Sequence, residues 1–347
     1  MPEEVYEGTI LLGEGLDAVD GRLVVEDGVV TGIEEGQVST DHWICPAFFN
    51  AHTHLGDTVA MDCATFGNLS DLVTPPDGLK HRILRATPRD RLVAGMQASL
   101  DVMAATGTAG FADFREGGPD GVLALREALE GSPLHPFILG RDGGEGPGDG
   151  VGISSVRDVA DADDQVARAR AAGKAVAFHA GEKDPDDIDE ALAYDPDLLV
   201  HCTHATDRHL RAIADAGIPI AVCVRSNWTL GVTTGAGHPP LKKMLEFGCS
   251  PLLGTDNVMF VQPDMLSEMA FVETVTRLPP PEIMRAAVKG AELTGRSYFI
   301  EEGKKAHFTI INTSRSNLRF STDPVASIVK RTGRNDLLET VINTQTE

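Results

Sequence analysis

His52 and His54 stand one residue apart in Cys45-Pro-Ala-Phe-Phe-Asn-Ala-His-Thr-His-Leu55, where an apolar run ends. Alternate side chains of an extended chain share a face, so both imidazoles can converge on one point just past a strand. Two nitrogen donors on one short segment make half of a site for a divalent metal. The pair alone is weak, since unrelated surface or core histidines produce the same spacing. Its meaning depends on whether further ligands stand at the ends of other strands.

From Cys45 to about Gly295 strand patterns alternate with helical ones. Candidate strands cover 44–50, 108–114, 134–140, 150–155, 175–180, 197–202, 218–224 and 249–255. One helical stretch opens at Thr87-Pro88, carries Leu92, Val93, Met96, Leu100 and Met103 mostly at three- and four-residue steps, and closes at Gly107. Another runs from Thr206-Asp207 to Gly217. Eight parallel strands with crossovers predict an α/β fold, a (β/α)8 TIM barrel. Ahead of it, 5–12, 23–26 and 29–34 read as short strands with turns at 19–22 and Asp27-Gly28. The far end has the same texture at 306–312, 327–331 and 338–342. The expected organisation is a small composite β-sandwich from 1–44 and 303–347, with the barrel, 45–302, inserted into it.

Barrel chemistry gathers at the C-terminal ends of the strands. There strand one offers His52 and His54; strand two, Asp113 and Arg115; strand three, Arg141; strand four, Ser154. Strand five offers His179 and Glu182, strand six His201, strand seven Arg225-Ser-Asn227, and strand eight Asp256. Singly, His179 reads equally well as a hydrogen-bonded core histidine, and Asp256 as a helix cap. His201-Cys-Thr-His204 fits no common zinc-finger spacing. Jointly, chance rarely places metal-type ligands at the ends of strands one, five, six and eight.

The chain has 347 residues, enough for a large core, and its net charge of −22 disfavours nucleic acid polymers and anionic membranes as partners. No apolar run reaches membrane-spanning length, and a cytoplasmic location is expected. Five cysteines without CxxC spacing argue against a disulfide framework. Nothing in the composition opposes a homo-oligomer.

The strings Asn50-Ala-His-Thr-His54, Phe178-His-Ala-Gly-Glu182, Val200-His-Cys-Thr-His204, Cys223-Val-Arg-Ser-Asn227 and Gly254-Thr-Asp256 resemble the amidohydrolase superfamily. The nearest likeness is to its metal-dependent aminohydrolase branch, with cytosine, guanine and S-adenosylhomocysteine deaminases and triazine hydrolases. The resemblance spans nearly the whole chain. It implies metal ligation by His52, His54, His179 and Asp256, with His201 contacting the activated water or substrate and Glu182 as the catalytic carboxylate. It departs at Ala306-His307, where the branch usually has Ala-Asp, and at Cys223-Val224, where many relatives have Cys-Pro. Binuclear relatives bridge their ions with a carboxylated lysine at the end of strand three or four. No lysine stands there, Lys174 preceding strand five and Lys183 following Glu182, so one ion is expected.

Three imidazoles and a carboxylate suit zinc, with iron or manganese also compatible. A metal with an open position lowers the pKa of bound water to about 7. Asp256 would take its proton, while the resemblance implies that Glu182 protonates a ring nitrogen of the substrate. The expected reaction is hydrolytic deamination of a small N-heterocycle, a free base or nucleoside. The alternatives are hydrolysis of another C–N or C–Cl bond, in a triazine or cyclic amide, and a non-catalytic metal-binding barrel. The stretch 56–81 and the Gly-rich loop 142–150 should wall the pocket. Arg225, Asn227, Arg115, Arg141 and Trp228 are candidate substrate contacts, and Phe66 is a further stacking candidate.

Overall fold

The computed structural model describes residues 3–63, 67, 69–233 and 235–344; Phe66 lies outside them. Strands Phe48–His54, Thr108–Arg115, His135–Gly140, Gly150–Ile153, Ala175–Ala180, Leu198–His201, Pro219–Val222 and Ser250–Leu253 hydrogen-bond side by side in sequence order, all parallel. The last strand resumes at Asp256–Asn257, which pairs with Phe48–His54. The handover is visible in single bonds: Gly254 N–H donates to Val222 O and Thr255 N–H to His52 O, both at 3.0 Å. One strand thus bonds the seventh and then the first, and the sheet closes into a barrel.

Two residues make that closure possible. A Cβ on Gly254 would lie 2.7 Å from the His52 nitrogen, so only glycine lets the strands approach this closely. Asn50 then clamps the seam, its Nδ2 donating to Thr255 Oγ1 at 2.8 Å and its Oδ1 accepting from Thr255 N at 3.0 Å. The barrel strands are almost wholly buried, as expected where helices cover a parallel sheet. Gly254→Ala is therefore expected to destabilise the protein by about 1–3 kcal/mol through overpacking. A denaturant midpoint unchanged from wild type would contradict this.

The two ends of the chain meet in one six-stranded sheet. Glu4–Leu12, Asp17–Glu26 and Val29–Glu35 form an antiparallel meander; His42–Pro46 joins it to His307–Asn312 and Leu337–Ile342. Three local expectations need correction. The first barrel strand starts at Phe48 rather than 44, because the chain turns from one sheet into the other around Pro46; both histidines therefore lie within the strand. The Asp20-Gly21 pair is no turn but the middle of a long strand, where a Cβ on Gly21 would meet Glu34 O at 2.3 Å. The reversal comes earlier, at Gly13 and Leu16 with φ of 58° and 54°. Lastly, 327–331 is the end of the helix Pro324–Arg331: Asp323 caps it by accepting from Ala326 N, and Pro324 stands in the first turn.

Candidate active site

At the mouth of the barrel His52, His54, His179, His201, Glu182 and Asp256 converge. Ligand-type atoms of His52, His54 and Asp256, of His52, His179 and His201, and of Glu182, His201 and Asp256 each lie within 4.8 Å of one another. His52 Nε2 is 3.3 Å and His54 Nε2 3.5 Å from Asp256 Oδ1, and His52 Nε2 is 3.2 Å from His179 Nε2.

Backbone carbonyls fix which ring nitrogen faces inward. His54 Nδ1 donates to Phe114 O at 3.0 Å, and His179 Nδ1 to Ile153 O at 3.1 Å. A carbonyl only accepts, so in the neutral rings each proton sits on Nδ1 and each Nε2 lone pair points into the cluster. Inward lone pairs beside a buried carboxylate fit a divalent cation with nitrogen and oxygen ligands. Asp256 is held in place by Ser226 Oγ donating at 2.8 Å to one oxygen and Asn257 Nδ2 at 2.8 Å to the other. Burial works to raise its pKa, but the His52 hydrogen bond and neighbouring imidazoles hold the carboxyl well below the usual range.

His201, Cys202 and Asp256 have φ of 72°, 47° and 62°. Left-handed backbone at non-glycine residues costs energy and gathers at functional sites. Here the strain turns His201 and Asp256 off their strand directions toward the common centre. Glu182 follows Gly181 in the loop after the fifth strand, with its Oε1 3.7 Å from His201 Nε2, and burial raises the Glu182 carboxyl above its ordinary pKa.

Beneath the histidines lies a charge cluster that sequence reading did not find. Glu116 Oε1 is 2.7 Å from His54 Nδ1, 2.7 Å from Lys80 Nζ and 3.2 Å from Arg141 Nη1, while its Oε2 takes Arg115 Nη2 at 2.6 Å. Lys80 Nζ also meets Asp57 Oδ2 and Asn257 Oδ1, each at 3.2 Å. Burial opposes ionisation of Glu116, but the surrounding cations hold its carboxyl well below its usual pKa. Burial pushes Asp57 the other way, to about 7. The only signal in the sequence was that Glu116 follows the strand-two residues Asp113 and Arg115; Lys80 and Asp57 lie in a connection without a motif.

The candidate substrate contacts divide sharply. Arg141 and Ser154 line the central cavity with Lys80, Asp158, Glu182, His201, Asp256 and Leu69, Val73, Thr74 and Pro75. Arg115 is instead buried between Glu116 and Asp113. Arg225 is turned away from the cavity, its Nε donating to buried Glu268 at 2.6 Å and its Nη2 to the Gln262 and Asp264 carbonyls. Asn227 donates to Thr203 Oγ1, and Trp228 packs edge-on against Phe271. Of the expected walls, the 56–81 stretch supplies one. The Gly-rich loop contributes no lining residue beyond neighbouring Arg141: it runs down the barrel to the next strand, pinned by Lys174 Nζ on the Glu145, Gly146 and Gly148 carbonyls.

Comparison with known proteins agrees with this architecture. Residues 43–146 match the Amidohydrolase family and 148–310 match Adenosine deaminase. A putative aminohydrolase of Methanothermobacter thermautotrophicus is 34% identical, over 97% of each chain. The chain belongs to the amidohydrolase superfamily. Among solved structures, guanine deaminase from C. acetobutylicum with bound guanine is similar at a TM-score of 0.77 and 16% identity, covering 99% of both chains. Atrazine chlorohydrolase from Arthrobacter aurescens, complexed with zinc, gives 0.81 and 15%, over 98% of this chain and 94% of its own. These two likenesses establish a shared fold.

Burial in this amidohydrolase has a consequence for acid stability. It holds His54 and His307 down to about 3 and His81 and His135 to about 4, and it lowers His52 and His179 as well. The unfolded chain binds these protons below about pH 6.5, whereas the folded one does not. Stability from these groups is thus complete above about 6.5 and is lost as pH falls toward 4. The buried carboxyls of Asp57, Asp113, Glu182 and Glu268, raised by burial, work in the opposite sense, but the six histidines outnumber them. The thermal midpoint of the metal-free protein should therefore drop between pH 7 and 4.5; a flat profile would contradict the assignment.

Proposed function

We propose that this amidohydrolase catalyses hydrolytic deamination of a small N-heterocycle, a free base or nucleoside, with His52, His54, His179 and Asp256 holding one divalent ion, zinc by preference. The observation carrying this reading is the approach of Glu182, His201 and Asp256 to within 4.8 Å, on the cavity side of the histidine cluster. A purely structural metal site has no use for a second carboxylate and a further imidazole facing open space.

When bound, the ion supplies a Lewis acid that makes water nucleophilic at neutral pH. Asp256, with Ser226 and Asn257 fixing its oxygens, accepts the proton of the attacking water. Glu182, whose raised pKa favours a carboxyl that can donate, protonates the ring nitrogen next to the carbon under attack. His201 hydrogen-bonds the oxygen arriving at that carbon and stabilises the charge that develops there. As the C–N bond breaks, the proton that Asp256 took from water passes to the leaving amino group, which departs as ammonia, and the proton of the new hydroxyl returns to Glu182. Arg141, Ser154 and Asp158 stand where they would meet the remaining polar edges of the heterocycle.

A single ion also agrees with the state of Lys80. This lysine lines the cavity, but its ammonium is engaged by Glu116, Asp57 and Asn257, which takes Lys80 itself out of consideration as a bridge to a second ion. In this reading the terminal segments form their own β-sandwich domain, and the enzyme acts in the cytoplasm, alone or as a homo-oligomer. The test is metal analysis combined with ammonia release across purines, pyrimidines and aminotriazines on the same preparation. One ion per chain with turnover of a purine or pyrimidine supports the proposal. Chloride or alkylamine release without ammonia would instead favour a triazine-type hydrolase.

A further inference from the structure

At the opposite end of the barrel another cavity, of about 560 Å³, lies between the barrel and the terminal sheet. Arg296, Lys304, Lys305 and His307 line it, with Glu292 as the one carboxylate. Three cations around one cavity stand out in a chain of net charge −22. Among the described residues neither Arg296 nor Lys304 makes an ion pair, whereas many surface arginines, such as Arg157 with Asp184, do.

A residue lining the same cavity, His307, carries a buried donor without an acceptor. Tyr298 and His135 are joined at 2.7 Å between the hydroxyl and Nδ1, and His135 Nε2 donates to Asn343 O at 3.0 Å. That second bond places the His135 proton on Nε2, so the Tyr298 hydroxyl is the donor of the first. The backbone N–H of Asn343 in turn reaches His307 Nδ1 at 3.3 Å. His307 Nδ1 therefore accepts, and the proton of the neutral ring sits on Nε2. That Nε2 is buried, His307 being 2% exposed, and it has no hydrogen-bond partner. An unsatisfied buried N–H is costly, and an oxyanion in the cavity would satisfy it while neutralising the cations around it.

We propose that this cavity binds a phosphate-type oxyanion, with Arg296, Lys304 and the His307 Nε2–H as its donors. Since Arg296 belongs to the barrel and Lys304 and His307 to the segment entering the terminal sheet, the ligand ties the two together. It lies at the N-terminal ends of the barrel strands, where conserved polar groups serve stability rather than chemistry. The proposal is independent of the reaction assigned above.

The test is calorimetric titration of the metal-loaded protein with inorganic phosphate, at ionic strength balanced with chloride, for wild type and Arg296→Gln. A nucleoside monophosphate is titrated in parallel. Saturable binding that weakens about tenfold or more in Arg296→Gln is expected. Tighter binding of the nucleotide would identify a phosphorylated metabolite as the ligand, and equal or weaker binding the free anion. The proton NMR signal of His307 Nε2–H should shift on addition of phosphate, a readout that needs no variant. Absence of saturable binding, or binding unaltered by Arg296→Gln as for phosphate held at the catalytic metal, would overturn the proposal.

Discussion

Glu182→Gln is expected to keep the fold and the metal content while turnover falls by about 10²–10⁴-fold, the range supplied by a positioned general acid–base. The amide preserves the shape of the side chain and its neighbourhood to His201, but it cannot give a proton to the ring nitrogen and take one back from the new hydroxyl. The loss should fall on kcat and on kcat/KM alike, because the proton is transferred in the transition state rather than in binding. The same variant should abolish the alkaline limb of the wild-type pH profile. That limb reflects deprotonation of a carboxyl whose burial raises its pKa. A variant with near wild-type kcat would remove Glu182 from the mechanism.

The second large effect concerns stability. Glu116→Gln leaves Lys80, Arg115 and Arg141 packed around a neutral amide, all three nearly inaccessible to water. Removing one partner of a buried ionic group costs about 3–5 kcal/mol, because the remaining charges stay desolvated. Denaturant unfolding of the metal-free protein should report this loss directly. Glu116 also accepts from His54 Nδ1, so a further loss of about 10–100-fold in metal affinity is expected, as for other residues that orient a metal-binding imidazole. The contrast is Arg208–Asp189, whose side chains are 66% and 56% exposed. Its removal should change stability by at most about 1 kcal/mol. A Glu116→Gln protein as stable as Asp189→Asn would show that the cluster is screened by water after all.

The converging ligands were legible in the sequence because each sits at the end of a strand, and a parallel barrel sends all strand ends to one mouth. His52, His54, His179, His201 and Asp256 needed only that rule. Arg115 and Arg225 were not legible for a related reason. Position at a strand end tells which mouth a residue approaches, but not whether its side chain is already engaged. Arg225 is tied up by Glu268, which lies 43 residues further on in a helix with no motif. Glu116 and Lys80 escaped notice because their importance comes from mutual burial, which spacing does not encode. The helix at 324–331 was missed for a local reason. Its few apolar residues suit either structure, and the Asp323-Pro324 start signal decides between them.

The eighth strand leaves the seventh at Gly254 and reaches the first at Thr255, one residue before Asp256. The proposed carboxylate ligand is thereby carried by the seam of the barrel itself. A chain that has folded as far as its seventh strand can assemble three imidazoles but not the fourth ligand. On the ligand set proposed above, full metal affinity, and with it hydrolytic power, would arise only when the ring is shut, and a chain without its last strand in place would hold its ion loosely.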